Sequence, residues 1–333
     1  MFNLKGKNQV ISIMLPFKNE EKYLKPCIES IIAQTYPYWE LLLVDDHSSD
    51  RSTEIAQTFA QQDARIIYLK NKGFGVIEAL KLAHKHSTGS LLTRMDGDDL
   101  KTPDNLQQLL DCVKPEVLAV GRVKYFREDG LGMGYLQYEE WINKLTASHS
   151  NFSEVYKECV IPSPCWLAYR NDFEKAGGFN SDFYPEDYDL CFRFYEVGLK
   201  TIGTEGVIHL WRDHAIRTTR VSEYYSDNRF LHLKLFYFFK IDFEPTKNLV
   251  LWGAGKKGKQ VAKDFIEKGL AFRWLTDNPN KIGHNIYGII LESINNFTPD
   301  EKQQIVIAVS DKKGQDEIKS ITQNGAAEIF WFC

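Results

Sequence analysis

Four short apolar runs alternate with helical patterns along the first part of the chain. The runs have the length of strands, and apolar residues recur at helical spacing between them; they are residues 9–15, 40–44, 65–69 and 90–95. Strands that are joined by helices form a parallel sheet with right-handed crossovers. The pattern therefore predicts an α/β fold, in which ligands bind beyond the carboxyl ends of the strands.

An acidic segment directly follows the fourth run. Asp96, Asp98 and Asp99 place three carboxylates within four positions. Like charges this close are costly to hold together unless a cation neutralises them. Because side chains two positions apart leave a strand on the same side, Asp96 and Asp98 can share one hard divalent ion. The alternative is a solvated turn in which Asp98 and Asp99 cap the next helix.

Two other polar segments stand at equivalent places in the pattern. Residues 17–20 follow the first run and residues 45–50 follow the second, so both should meet the acidic segment at one crevice. Asn19 stands at an N-cap position before the first predicted helix. Pro103 is expected at the first position of a later helix, where its missing N–H costs nothing.

The composition bounds the class of protein. A length of 333 residues is too great for one ordinary domain and predicts two. A net charge of −4 gives no electrostatic footprint for nucleic acid. The six cysteines lack metal-ligand spacing, which is typical of buried thiols in a reducing compartment. Because no signal-peptide pattern and no apolar run of membrane-spanning length is found, we expect a soluble cytoplasmic protein.

The second half predicts a domain boundary near an aromatic segment. We expect domains at residues 1–222 and 247–333, joined by a linker helix at 223–246. An aromatic, mildly basic helix can lie on a membrane surface, which would place the protein peripherally at the inner face of the membrane. The simpler interpretation is a helix that is buried between the two domains. Residues 124–164, rich in glycine and aromatics, are expected to form loops and helices over the sheet.

A glycine motif opens the last domain. The apolar run at 248–252 leads into Gly253, Gly255 and Gly258. Asp277 lies about 20 residues beyond the glycines, as the dinucleotide fingerprint requires. The domain supplies only half of a dinucleotide fold, and no domain for hydride transfer accompanies it. Three interpretations stay open: a scaffold or docking module, a nucleotide or sugar-nucleotide site, and an NAD site.

Four motifs in this order resemble those of family 2 glycosyltransferases, which have the GT-A fold. They are residues 15–20, 44–50, 96–99 and 186–193. Residues 177–179, Gly-Gly-Phe, fit the family's usual lead-in to the last motif. The resemblance covers about residues 8–220 and implies a mostly parallel sheet flanked by helices. The last domain is similar to small Rossmann-like modules that are appended to sugar-modifying enzymes.

The resemblance implies a role for each motif residue. The nucleotide-diphosphate sugar would be held by Pro16, Phe17, Glu20, Asp46, Asp96 and Arg212. A divalent cation, Mn²⁺ or Mg²⁺, would be held by Asp98, Asp96 and His214. His209 is a weaker rival to His214 as a ligand, and Arg217 is an alternative to Arg212 as a phosphate clamp. Asp187 would be the catalytic base, with Glu186 orienting the acceptor or the loop.

The chemistry of sugar transfer explains these residue types. A nucleoside-diphosphate leaving group develops negative charge as the glycosidic bond breaks, and a cation on Asp98 would neutralise it. A sugar hydroxyl is a poor nucleophile, so a carboxylate such as Asp187 must take its proton as the new bond forms. One base without an obvious carboxylate nucleophile implies inversion at the anomeric carbon. The structural alternative for Asp187 and Asp189 is favourable charge at a helix N-terminus.

We therefore expect a metal-dependent inverting glycosyltransferase of polysaccharide or cell-surface glycan synthesis, acting on a glycan or lipid-linked acceptor. One alternative is a sugar-nucleotide pyrophosphorylase, which would need a glycine-rich basic loop after the first strand. Another is a nucleotide-sugar-binding regulator, against which the intact acidic motifs argue. The motifs leave open the donor's sugar and base, the acceptor and the oligomeric state.

Overall fold

The computed structural model describes residues 9–127, 132–181, 183–214, 230–323 and 325–333. Within these ranges the chain forms two units, each with a sheet of its own. The first unit contains residues 9–153 and 159–214, and the second contains residues 154–158 and 230–333. The predicted phosphate clamp Arg217 and the start of the predicted linker helix lie outside the described residues.

The first unit is built on one eight-stranded sheet. Its strands are β1 (Ile11–Phe17), β2 (Trp39–Asp45), β3 (Ile66–Lys70), β4 (Leu91–Arg94), β5 (Leu100–Lys101), β6 (Val117–Phe126), β7 (Trp166–Tyr169) and β8 (Lys200–Arg212). The order across the sheet is β3-β2-β1-β4-β7-β6-β8-β5. The strands β1 to β4 run parallel, as do β6 and β8, whereas β7 is antiparallel to its neighbours. The predicted α/β class with a mostly parallel sheet is confirmed.

The central strand β1 explains why the site forms where it does. The described helices of this unit are α1 (Leu24–Ile32), α2 (Ser52–Gln62), α3 (Val76–His86), α4 (Asn105–Cys112), α5 (Met133–Ala147), α6 (Arg170–Lys175) and α7 (Glu186–Glu196). Ile11, Ile13 and Leu15 alternate onto one face of β1 and share a core with Leu24 and Ile28 of α1. Full burial of one such side chain stabilises the fold by about 1.5–3 kcal/mol, so the carboxyl end of β1 is firmly placed.

Two predicted helix starts are wrong. The first helix begins at Leu24, and Asn19 does not cap it. Asn19 instead takes a positive φ of 56°, and its side-chain oxygen accepts from the backbone N–H of Ser49 at 2.8 Å. An asparagine side chain tolerates that conformation and serves a turn as well as a cap, so sequence alone does not separate the two uses. The later helix begins at Asn105, so Pro103 precedes it.

The segment 124–164, which was expected to form loops and helices over the sheet, contains helix α5. Helix α5 packs against β6 beyond the point where β7 stops pairing with that strand. Asn143 of α5 accepts from the N–H of Val123 at 2.9 Å and donates to its carbonyl at 2.8 Å, and Glu139 accepts from the N–H of Tyr125. The helix therefore satisfies backbone groups that the short strand β7 leaves free.

The second unit has a smaller sheet. Its strands are β9 (Asn248–Trp252), β10 (Phe272–Thr276), β11 (Asn285–Ile286), β12 (Ile289–Ser293), β13 (Gln303–Ile307) and β14 (Glu328–Trp331), in the order β11-β12-β10-β9-β13-β14. All neighbours run parallel except β11, which forms a hairpin with β12. Its two longer helices are Lys256–Glu267 and Lys312–Thr322. The run predicted at 248–252 coincides with β9.

The aromatic segment before this sheet is helical where it is described. The helix Phe230–Tyr237 continues into a π-helical turn, Phe238–Asp242. Phe238 is fully buried, and its ring lies 5.0 Å from Phe330 and 6.0 Å from Phe332. No helix in the described part of the chain is long and apolar enough to cross a membrane. The contact of this helix with a membrane surface stays a prediction.

Candidate active site

Asp99 fixes the loop that carries the other two carboxylates of the acidic segment. It is fully buried, and its Oδ2 lies 2.9 Å from Nε2 of His209. Its Oδ1 accepts from the backbone N–H of Arg212 at 2.8 Å. Both partners belong to β8, so Asp99 ties the loop after β4 to that strand. His209, the weaker candidate for a metal ligand, is therefore engaged in this tie.

Asp98, Arg212 and His214 lie together beside this tie. The Oδ2 of Asp98 is 2.9 Å from Nε2 of His214, and Nε of Arg212 donates to the Asp98 carbonyl at 2.7 Å. The Arg212 guanidinium lies over the rings of Tyr23 and Phe126, at 4.8 and 4.4 Å from their centres. The structure thus brings predicted residues from two segments that lie far apart in the sequence to one place. Tyr23, which the sequence analysis missed, carries no distinguishing signal beyond its position near Glu20.

Glu20 lies against the same acidic loop. A Cβ built on Gly97 would be only 3.4 Å from the Cγ of Glu20. Burial, followed by the negative charges of Asp98 and Asp96, raises the pKa of Glu20 to about 8, and the charge of Arg212 opposes the rise. Burial and the neighbouring negative charges together let this carboxyl group hold its proton near neutral pH.

A buried arginine joins the two acidic motifs. Nε of Arg94 donates to Oδ1 of Asp96 at 3.1 Å, and its Nη1 donates to Oε1 of Glu186 at 2.8 Å. Arg94 is 8% exposed and Glu186 is 7% exposed. Arg94 was not among the predicted site residues, although an arginine within an apolar strand is a signal that could have identified it. Asp96, a member of the acidic loop, is thus bonded to Arg94.

Asp187 stands beside this ion pair in the first turn of α7. Burial and then the negative charge of Glu186 raise the pKa of Asp187 to about 7, and the positive charge of Arg94 opposes the rise. One oxygen, Oδ1, accepts from the N–H of Tyr188 at 2.8 Å. Among the described residues the other oxygen has no hydrogen-bond partner. A carboxyl group with a pKa near 7 is well matched to accept a proton at neutral pH.

Asp189 does more than place a negative charge at the N-terminus of α7, because it also holds Arg193 in position. It is 1% exposed and accepts from Nε of Arg193 at 2.8 Å. Nη1 of Arg193 in turn donates to the carbonyls of Ala176 and Gly178, both at 2.6 Å. Gly177 and Gly178 take positive φ values of 84° and 57°, which favour glycine. The Gly-Gly-Phe motif is therefore a turn that α7 holds through Arg193.

On the side predicted to bind the nucleotide, Asp46 closes the loop after β3. It is 7% exposed, and its carboxylate accepts from Nδ2 of Asn71 at 2.7 Å and from the N–H of Gly75 at 3.0 Å. Its own N–H donates to the carbonyl of Phe17 at 2.9 Å. Phe17 is 4% exposed and belongs to the core, whereas Pro16 is partly exposed. The segments after β1 and β2 thus meet, as their places in the sheet predicted.

The fit of this site to a divalent cation depends on its donor atoms. Carboxylate oxygen and imidazole nitrogen suit Mn²⁺, and Asp98 and His214 present one of each. In the described parts of the chain, no three His, Cys, Asp or Glu side chains are placed to hold a metal by themselves. Nucleotide-dependent enzymes commonly bind their cation through one or two side chains and the substrate phosphates. The pair fits a cation whose coordination a diphosphate completes.

The glycine motif of the second unit lies where β9 ends. A Cβ built on Gly258 would be 1.9 Å from the carbonyl oxygen of Gly253, so the following helix approaches the strand as only glycine permits. A Cβ built on Gly255 would meet nothing within 4 Å. Asp277 follows β10, the neighbour of β9, and is exposed. The four predicted residues are thus placed at the carboxyl ends of two adjacent parallel strands.

Known proteins are similar to this chain in sequence. Residues 12–177 match the family model described as Glycosyl transferase family 2. Glycosyltransferase GlyG of Streptococcus pneumoniae serotype 4 is 34% identical over 215 residues, which are 62% of this chain and 71% of GlyG. Glycosyltransferase GlyA of the same organism is 30% identical over 150 residues, 44% of this chain. The match spans only 22% of GlyA.

Solved structures agree on the fold. A mannosyltransferase from Pyrobaculum calidifontis, PcManGT in complex with GDP-Man and Mn²⁺, superposes with a TM-score of 0.53 at 20% identity, covering 70% of this chain and 63% of that one. TarS 1-349 of S. aureus in complex with UDP-GlcNAc gives 0.54 at 16% identity, covering 77% and 71%. At these identities the likeness concerns the fold, and it confirms the predicted GT-A architecture.

Proposed function

The chain belongs to glycosyl transferase family 2, and from that premise we propose that it is a metal-dependent inverting transferase. It moves a sugar from a nucleotide-diphosphate donor to a hydroxyl of a glycan or lipid-linked acceptor in polysaccharide or cell-surface glycan synthesis. The observation that carries the proposal is the contact of Arg94 with both Asp96 and Glu186. Through one side chain, the acidic loop of the donor side meets the carboxylates of the acceptor side.

The donor diphosphate binds at the acidic loop. Asp98 and His214 are the proposed protein ligands of Mn²⁺ or Mg²⁺, and Asp96 faces the ribose or the water shell of the ion. When bound, the cation neutralises charge on the departing diphosphate. Arg212 adds a fixed positive charge, because the Asp98 carbonyl and two aromatic rings hold its guanidinium in place.

The nucleoside lies between the ends of β1 and β2. Asp46 accepts from the base. Pro16, Glu20 and the chain at Phe17, whose side chain lies in the core, form the wall beside base and ribose. The carboxylate of Asp46 is already fixed by Asn71 and the loop after β3. A carboxylate fixed before the ligand arrives loses little freedom on binding.

The acceptor hydroxyl loses its proton to Asp187. With a pKa of about 7, Asp187 is substantially ionised at neutral pH and can take the proton as the new bond forms. Glu186 is neutralised by Arg94 and orients the acceptor or the loop rather than reacting. A single carboxylate base acting on the acceptor is consistent with one displacement, in which the anomeric configuration inverts.

Related structures support a nucleotide-sugar donor. PcManGT was solved with GDP-Man and Mn²⁺ and TarS with UDP-GlcNAc, in the same fold.

For the second unit we propose a Rossmann-like domain within residues 247–333. It follows a transferase domain at residues 1–222 and a linker at residues 223–246. Gly253, Gly255, Gly258 and Asp277 form its candidate second nucleotide site. We place the protein in the cytoplasm, with peripheral contact to the inner face of the membrane.

A donor screen tests the proposed function. UDP-, GDP-, dTDP- and CDP-sugars are added with and without Mn²⁺, and the melting temperature of the full chain is recorded. The correct donor raises it by mass action, and the rise depends on the metal. The same mixtures are then assayed for release of nucleoside diphosphate. If no donor raises the melting temperature and none is cleaved, the proposed function is wrong.

A further inference from the structure

Ser163 carries a buried hydroxyl for which the described residues offer no partner. The residue is 7% exposed, and its Oγ has no hydrogen-bond partner in the described part of the chain. Leaving a buried polar group unpaired destabilises a fold, and native structures contain few such groups. A hydroxyl of this kind needs either a bound molecule or another reason to persist.

The residue lines a small pocket that also contains the proposed base. The polar residues around this pocket are Arg94, Ser163, Glu186 and Asp187, and the remainder of its lining is mainly apolar. The cavity volume is about 10 Å³, which is room for roughly one water-sized group. Arg94 and Glu186 bind each other through Nη1 and Oε1. Among the described residues, the lining groups with bonding capacity left include the Ser163 hydroxyl, one oxygen of Asp187 and Oε2 of Glu186.

The turn that bears Ser163 is rigid. Proline on either side, Pro162 and Pro164, restricts the backbone. The carbonyl of Pro162 accepts from the N–H of Cys165 at 2.9 Å, and that of Pro164 accepts from Nζ of Lys101 at 3.2 Å. Lys101 is 4% exposed, so a buried ammonium group anchors the turn. The backbone that carries the hydroxyl is therefore held in place before a ligand arrives.

We infer that Ser163 binds the attacking oxygen of the acceptor, an inference that rests on the function proposed above. The acceptor hydroxyl donates its proton toward the free oxygen of Asp187, and its oxygen accepts from the hydroxyl of Ser163. As this oxygen bonds to the anomeric carbon, its proton passes to Asp187 and the electron pair of the broken bond leaves with the diphosphate. Ser163 keeps its proton throughout. The ligand is a neutral alcohol, and water takes its place when the donor is hydrolysed.

The test compares Ser163→Ala with a matched control, Ser12→Ala. Ser12 is also buried, but its Oγ donates to Glu40 at 2.6 Å and accepts from the N–H of Gly89 at 2.9 Å. The substrate is the nucleotide sugar that stabilises the wild type most in the presence of Mn²⁺, with water as the acceptor. The readouts are release of nucleoside diphosphate, melting temperature and donor affinity by calorimetry.

The two variants should behave in opposite ways. Ser163→Ala slows hydrolysis about tenfold, the loss expected for one hydrogen bond made in the transition state, without lowering the melting temperature or donor affinity. Ser12→Ala lowers the melting temperature and leaves turnover unchanged. If the wild type hydrolyses the donor and Ser163→Ala hydrolyses it at the same rate, the inference about Ser163 is wrong and the proposed function stands. The same holds if Ser163→Ala loses only donor affinity. If the wild type cleaves no donor, the proposed function fails and the inference fails with it.

Discussion

Arg94 donates a hydrogen bond of 2.8 Å to Glu186, although 92 positions separate the two residues along the chain. The same guanidinium also donates to Asp96. The positive charge of Arg94 therefore lies between two carboxylates and joins strand β4 to helix α7. A buried charge network of this kind stabilises a fold only while every partner is present. The relationship therefore has consequences both for stability and for the titration of Asp187 beside it.

Replacing Arg94 by methionine removes the cation and leaves two carboxylates facing each other. We expect a loss of about 3–5 kcal/mol in the free energy of unfolding, because breaking a buried pair strands its partner. Urea unfolding followed by circular dichroism measures it. Arg51→Met is the control: Arg51 pairs with Glu54 on the surface, and its loss should leave the transition unchanged. Equal midpoints for the two variants would contradict the role given to Arg94.

Asp187→Asn should abolish sugar transfer and leave the fold intact. The amide has nearly the shape of the carboxyl group but cannot accept a proton. In the wild type the rate should rise with pH through about 7, because burial and Glu186 raise the pKa of Asp187 and only the ionised form is a base. Nucleoside diphosphate release across a pH series measures both effects. A variant with full activity, or a pH-independent wild type, would remove Asp187 from the mechanism.

Asp98→Asn and His214→Ala should each weaken the dependence on metal. Oδ2 of Asp98 lies 2.9 Å from Nε2 of His214. Each substitution therefore removes one of the two proposed metal ligands and keeps the other. We expect the Mn²⁺-dependent rise in melting temperature with donor to shrink or disappear in both variants. Asp104→Asn, a change in a carboxylate bonded to Thr102 and Gln108 beyond the acidic loop, is the control. A full metal response in Asp98→Asn would exclude it as a ligand.

The sequence predicted the sheet well because burial gives strands a clear signal. The strand Asn248–Trp252 coincides with the apolar run predicted at 248–252. Each boundary there coincides with a change from apolar periodicity to polar or glycine-rich sequence. The first helix was misplaced because Asn19 has the side chain of a cap but serves a turn that holds Ser49. Local chemistry permits both uses, and only the fold decides between them.

Some contacts of the site could be predicted from the family motifs, and other contacts could not be predicted from the sequence. Asp98 and His214 were paired from family resemblance, and they lie in contact. The contact of Arg94 with Glu186 depends on how β4 and α7 pack, which no spacing in the sequence encodes. The Ser163 hydroxyl has no hydrogen-bond partner among the described residues, and only three-dimensional packing reveals this.

Glu20→Gln should stabilise the metal-free protein at alkaline pH. The folded state raises the pKa of Glu20 from 4.5 to about 8, mainly through burial and then through Asp98 and Asp96. A raised carboxyl pKa means that the folded state binds the proton more tightly, so stability declines as pH rises from 4.5 to 8. Glutamine does not ionise and escapes that decline. With a chelator present, the variant should melt a few degrees above the wild type at about pH 9 and together with it at about pH 4.

A pair of glycine substitutions tests the packing of the second unit. In Gly258→Ala the new methyl group would stand 1.9 Å from the carbonyl oxygen of Gly253, so backbone must move. We expect a loss of about 1–3 kcal/mol or more, as for other overpacked sites. Gly255→Ala puts its methyl group into open space, at a φ of −80° that alanine accepts, and should leave the stability unchanged.

Hydrogen exchange in β9 and in the helix Lys256–Glu267 measures the effect of each substitution locally. We expect faster exchange in Gly258→Ala and not in Gly255→Ala. A nucleotide that binds to the second unit of the wild type gives a further test. If Gly255→Ala keeps its protection from hydrogen exchange but no longer binds that nucleotide, the ligand approaches the backbone at Gly255. Equal loss of protection in both variants would show that the close approach of helix and strand is not what Gly258 provides.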